Sequence, residues 1–200
     1  SGALLFARLI AGFGTIMFAA HQIAINIDGL GIVPAMAFQM ATTTLVGQGI
    51  GAQKPELSEE AARQSTIIGT IILSLIGVAY FFLGKYAIRI FTQDAQVIAL
   101  GENALKVLAF SQPFTAVYFV IAGALRGAGD TKYAMYASAI GMWVTRIGIG
   151  YILADLLNMT LFGAWVAVTI DMIVRMVLVL KRFSSGVFKE YSKERLSESI

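Results

Sequence analysis

The sequence predicts an all-α membrane protein: a polytopic six-helix bundle lobe, with five complete transmembrane helices and the end of a preceding one. Three observations predict it. Hydrophobic residues make up 58% of the 200-residue chain and charged residues only 14%, where a soluble domain carries about 25% charged residues. Five apolar runs reach the roughly 20 residues that a helix needs to cross about 30 Å of hydrocarbon. The charges gather at the ends of those runs, so a net charge of +3 supplies no basic stripe for nucleic acid.

The first run, residues 3–13, falls short of a crossing. Even ~14 residues of helix rise only ~21 Å, so it reads as the end of a helix that began upstream, and no secretory signal surrounds it. Complete crossings are expected at about 16–50, 67–91, 104–125, 134–154 and 161–180. Between the first two, Q-K-P-E-L-S-E-E-A-A-R places Ser58 before Glu59 and Glu60, which predicts the cap of the next helix. Pro34 and Pro113 each remove a backbone donor inside a run, which predicts freed carbonyls near Leu30 and Ala109. Gly69, Gly77, Gly141, Gly148 and Gly150 read as small residues that let membrane helices approach. From Lys181 onward the composition turns polar. Residues 1–182 are therefore read as a transmembrane lobe and residues 183–200 as a polar, solvated tail.

Five crossings create alternating sides. One side collects Lys54, Arg63, Arg126, Lys132, Lys181, Arg182, Lys189, Lys193 and Arg195; the other holds only Lys85 and Arg89. The positive-inside rule makes the first side cytoplasmic, and the carboxyl terminus with it.

An ionisable group within a membrane run is a functional hypothesis, because leaving it unpaired there costs several kcal/mol. Asp28 lies well inside the run 16–50, with His21 seven residues before it and Gln39 eleven after. At 3.6 residues per turn the three fall near one face. That makes them candidates to bind a proton, sodium or a cationic substrate. His21 is placed near the outer end of its helix, within reach of interfacial water. Around Pro113, the residues Gln112, Thr115, Tyr118 and Phe119, with Ser111, offer hydroxyls and aromatic faces suited to a substrate cavity. Asp171 and Arg175 stand four apart with the acid first, the favourable order for a helical pair. Arg146 is a second partner for Asp171, and the three read as structural ion pairs. Glu102 and Lys106 read as an interfacial pair.

Enzyme chemistry finds no support. The chain has one histidine and no cysteine, which removes thiolate metal sites and cysteine nucleophiles. It has no H-E-x-x-H or G-x-S-x-G, so no metal site and no cofactor is expected. The glycine-rich G-Q-G-I-G-A and G-A-G-D-T-K lack the spacing of nucleotide loops. The second reads as a hairpin at the cytoplasmic boundary, marked by Arg126, Asp130 and Lys132.

Four stretches taken in order carry a resemblance: F-A-R-L-I-A-G-F-G-T-I-M-F-A-A-H-Q-I-A (6–24), L-V-G-Q-G-I-G-A (45–52), G-A-L-R-G-A-G-D-T-K (123–132), and D-M-I-V-R followed by R-F-S-S-G-V-F-K (171–189). Together they resemble the carboxyl-terminal half of the multidrug and toxic compound extrusion (MATE) transporters. The resemblance implies a twelve-helix exporter of two six-helix lobes, driven by sodium or protons, in the plasma or inner membrane. It would export organic cations or amphipathic compounds by alternating access. This chain would be the second lobe, with the amino-terminal lobe as its partner and no competence alone. Many family members carry an acid at the place of Asp28, in a stretch similar to I-N-I-D-G-L. Others carry an acid deep in the helix after Pro113, and here none stands between Gln112 and Leu125. A lipid-linked oligosaccharide flippase of the same superfamily and a non-transporting membrane scaffold are the alternatives.

Overall fold

A computed structural model describes residues 2–156 and 160–186, so Lys189, Lys193, Arg195 and the tail beyond Gly186 lie outside the described residues. All regular structure among the described residues is helical. A ten-residue helix, α1 (Gly2–Ala11), is about 15 Å long and ends in a turn at Gly14. Five further helices follow: α2 (Thr15–Gly51), α3 (Pro55–Arg89), α4 (Ala95–Ala128), α5 (Thr131–Ile140) and α6 (Thr160–Phe183). α5 runs on in wide π-helical turns over Gly141–Ile149 and Ile152–Leu156, so its membrane segment is Thr131–Ala154. Among the described residues five helices are long and apolar enough to cross a bilayer, and the fold is an all-α membrane bundle.

The helices outrun the apolar stretches that predict them. α3 starts at Pro55, twelve residues before residue 67, because proline fits the first turn, where no intrahelical N–H partner exists. The expected Ser58 cap is therefore wrong by one turn. Ser58 is fully buried inside α3, and its hydroxyl donates to the Val46 carbonyl of α2 at 3.0 Å. α4 starts at Ala95, where Asp94 Oδ1 accepts the Gln96 and Val97 N–H groups at 2.8 and 3.2 Å and satisfies two orphan donors.

α4 forms the centre and packs against α2, α3 and α6. Its apolar stretch is 67% buried, against 28% for α2 and α3. The outward faces of those two helices carry Leu30, Val33, Met40, Leu75 and Phe82, each more than half exposed. An apolar surface so extensive suits hydrocarbon as solvent. Where α2 meets α4 the backbones touch through two glycines one turn apart. A Cβ at Gly123 would collide with the Gln39 carbonyl, and one at Gly127 with the Thr43 carbonyl. Thr43 Oγ1 closes the seam by donating to the Gly123 carbonyl at 2.9 Å.

The α4–α5 hairpin turns on Gly129, whose φ of 100° lies in the left-handed region that glycine adopts without a Cβ penalty. Asp130 then caps α5 by accepting the Tyr133 N–H at 3.2 Å, and it receives Arg182 Nε of α6 at 2.6 Å. Its second carboxylate oxygen thus ties the hairpin to the last helix. Lys132 is exposed beside it.

Candidate functional site

The two prolines leave different marks. On α3, Tyr80 reaches across to α2 one turn before Pro34. Its hydroxyl accepts the Gly31 N–H at 3.1 Å and donates to the Ile27 carbonyl at 2.9 Å. Gly31 N–H and Ile27 C=O are the two ends of one i→i−4 bond, so the phenol stands in the ladder itself. A Cβ at Gly31 would lie 2.6 Å from that hydroxyl. The Ala109 carbonyl, one turn before Pro113, is covered by the close approach of Gly77, where a Cβ would meet it at 2.7 Å. The Ala109 acceptor expected from Pro113 is thus covered by α3, whereas Tyr80 meets Ile27 and not the Leu30 carbonyl expected from Pro34.

The same turn of α2 presents Asp28. Its Oδ1 accepts Gln112 Nε2 of α4 at 2.8 Å, and it forms no ion pair among the described residues. Asp28 borders a cavity of about 300 Å³ together with Gln39, Ser111, Thr115, Tyr118, Phe119, Arg126, Ser138, Arg146 and Arg175. Of the residues expected at a substrate wall, Thr115, Tyr118 and Phe119 border this cavity, whereas Gln112 lies behind Asp28 and positions it. Tyr118 and Phe119 meet edge to face at 5.3 Å.

His21 departs from its expected setting. It is 2% exposed, its Nδ1 accepts Trp165 Nε1 at 3.2 Å, and Phe6 meets it edge on. The imidazole is therefore walled from interfacial water by α6 and α1. It borders a second cavity of about 250 Å³ that also touches Asp28 and Arg146. Asp28 thus stands at the edge of both cavities, with Gln39 in one and His21 in the other.

The expected ion cluster occupies the wall formed by α5 and α6. Arg175 Nε lies 2.6 Å from Asp171 Oδ1, and Arg146 Nε lies 3.4 Å from Asp171 Oδ2. Arg175 Nη1 also donates to Ser138 Oγ at 3.3 Å. Gly141 faces this cluster, and a Cβ there would collide with both Asp171 and Arg175. Glu102 and Lys106 pair at 2.7 Å away from the cavities.

The MatE family model matches residues 1–152. The chain belongs to the MatE family. A Thermotoga maritima protein named "Probable multidrug resistance protein NorM" is 32% identical over 99% of this chain and 43% of its own length. A Mannheimia succiniciproducens protein of the same name is 35% identical over 87% of this chain and 38% of its own. The MatE chain thus spans less than half the length of these relatives. Among solved structures, a MATE protein in a bent conformation has a TM-score of 0.84 at 22% identity, covering 89% of this chain and 40% of that one. A MOP superfamily transporter from Pyrococcus furiosus matches with the same TM-score and identity, covering 39% of its own chain. At that identity the likeness establishes the fold.

Sequence reasoning on this MatE lobe missed Tyr80 and Trp165. The signal for Tyr80 was present: a hydroxyl between Gly77 and Gly84 on an apolar helix must find a partner inside the protein. Its partner, a backbone turn of α2, carries no side-chain signature.

Proposed function

We propose that this chain is one lobe of a secondary active multidrug exporter in the cell membrane, and that Asp28 is where a coupling cation, sodium or proton, exchanges with substrate. The rest of the protein would supply the amino-terminal lobe, and the two lobes would rock about a shared cavity to give alternating access. The single observation that carries this reading is an acid set within membrane-spanning helices, facing a cavity, and held by one neutral side chain. An acid there is expensive unless a counter-ion or proton completes it. Asp28 keeps one carboxylate oxygen free of hydrogen bonds among the described residues, and the Tyr80 hydroxyl bonds the backbone of its turn at Ile27 and Gly31 beside the site. The names of the relatives support small drugs as cargo.

The test is drug accumulation in cells making the complete protein, wild type against Asp28→Asn, with sodium and pH varied independently. Asp28→Asn should accumulate drug as empty-vector cells do and lose its dependence on whichever ion drives wild-type efflux. Wild-type efflux by the asparagine variant would overturn the role of Asp28.

A further inference from the structure

The α5–α6 wall of the larger cavity holds two guanidinium groups and one carboxylate. Asp171 is fully buried and spends its Oδ1 on Arg175 Nε, while Arg146 Nε reaches only 3.4 Å from Oδ2 without a hydrogen bond. One positive charge on this wall is therefore unmatched. Arg175 is 6% exposed, yet its Nη2 has no partner among the described residues. Arg146 makes no hydrogen bond among them, and both arginines border the cavity. A buried guanidinium donor left empty costs far more than an exposed one. Neither side chain is slack, because Arg175 lies over the Tyr118 ring at 5.7 Å and Arg146 over the Phe6 ring at 5.8 Å. Rings and Asp171 hold two planar forks in place with donors unspent. Asp28 does not fill them: it sits on α2, bonded to Gln112, and pairs with neither arginine.

We propose that Arg146 and Arg175 form an anion-recognising subsite of this cavity that takes the carboxylate of a zwitterionic amphiphile, whose cationic end lies towards Asp28. The inference rests on the efflux reading and names its substrate class. Guanidinium forks match a carboxylate through paired N–H donors. The cavity then carries positive charge on α5 and α6, with Arg126 of α4 also on its border, and negative charge on α2. A substrate carrying both charges satisfies both, whereas a plain cation leaves the arginines empty. At about 300 Å³ the cavity stands at the lower end of the size of ligand pockets, enough for one end of such a molecule.

The experiment uses the complete transporter and two dyes that differ at one group: rhodamine B, with a free carboxylate and a cationic xanthene, and its ethyl ester, a plain cation. Competition between them for efflux is measured in cells, and their binding to the purified protein by fluorescence anisotropy. Wild type should bind the free acid about tenfold tighter than the ester, the scale of a charge-assisted hydrogen bond. In binding to the purified protein, Arg146→Gln should erase that preference, and Arg146→Lys should restore part of it. A thermal melt of each purified variant reports folding independently of either dye. Equal binding of acid and ester by wild type overturns the subsite, and so does an Arg146→Gln variant that keeps the preference or loses both dyes together. Failure of the efflux reading looks different: both dyes would then accumulate equally with and without the transporter.

Discussion

Asp28 owes its position to two residues on other helices. Gln112 grips the carboxylate at 2.8 Å, and the Tyr80 hydroxyl occupies the α2 ladder between Gly31 and Ile27. Gly31 is small because the phenol is there. A methyl group at 2.6 Å from that oxygen must push Tyr80 out or shift α2. Gly29, two residues earlier, has nothing within 4 Å of a built Cβ and serves as an internal control. Gly31→Ala is expected to destabilise the complete protein by about 1–3 kcal/mol, as overpacking does. Gly29→Ala should be neutral or slightly stabilising, since alanine is the better helix former. Thermal melts in detergent read the difference, and equal melting temperatures would show that Tyr80 yields without cost. Tyr80→Phe should cost less, about 1 kcal/mol, because Gly31 N–H and Ile27 C=O can then bond each other.

At the scale of elements, the seam between α2 and α4 depends on backbone contact at Gly123 and Gly127. The obstacles are the Gln39 and Thr43 carbonyls, and backbone cannot swing aside as a side chain can. Gly127→Ala should therefore separate the helices and tilt the α2 wall of the cavity, lowering both stability and transport. Gly47→Ala, whose Cβ would meet the Gly127 carbonyl at an ordinary 3.5 Å, should be tolerated. Expression, melting and efflux of the two variants side by side check this. The same seam explains what the sequence could tell. Apolar length and end charges disclosed the crossings because lipid imposes both. The motif 123–132 disclosed a hairpin, since Gly129 and Asp130 act locally as helix stop and helix cap. What stayed hidden depends on which helices touch. Nothing in Gly31 names Tyr80, and nothing in Ser58 says that its helix begins a turn earlier at Pro55. The π-helical turns after Gly141 belong to the same class. They occur where Gly141, Gly148 and Gly150 weaken the α-helix, and they carry Arg146 to the cavity wall.

At the scale of the molecule, charge predicts an orientation. The turn between α2 and α3, the α4–α5 hairpin and the end of α6 share one side of the bundle, because each complete helix reverses the chain. That side holds Lys54, Arg126, Lys132 and Lys181, while the α3–α4 turn follows Lys85 and Arg89 on the other. If basic loops stay in the cytoplasm, the first side faces inward in the cell. Ser58 cannot probe this, because its burial would shield a cysteine from reagent on either side. Ala52 and Gln93 are exposed and lie in opposite turns, and changing them alters no charge that sets the orientation. The chain has no cysteine of its own, so Ala52→Cys and Gln93→Cys each give a single reactive thiol in this lobe. In intact cells an impermeant maleimide should label Gln93→Cys and spare Ala52→Cys, and permeabilised cells should label both. Labelling of Ala52→Cys in intact cells would invert the lobe, setting Arg126 and the Asp130–Arg182 tie at the outer face.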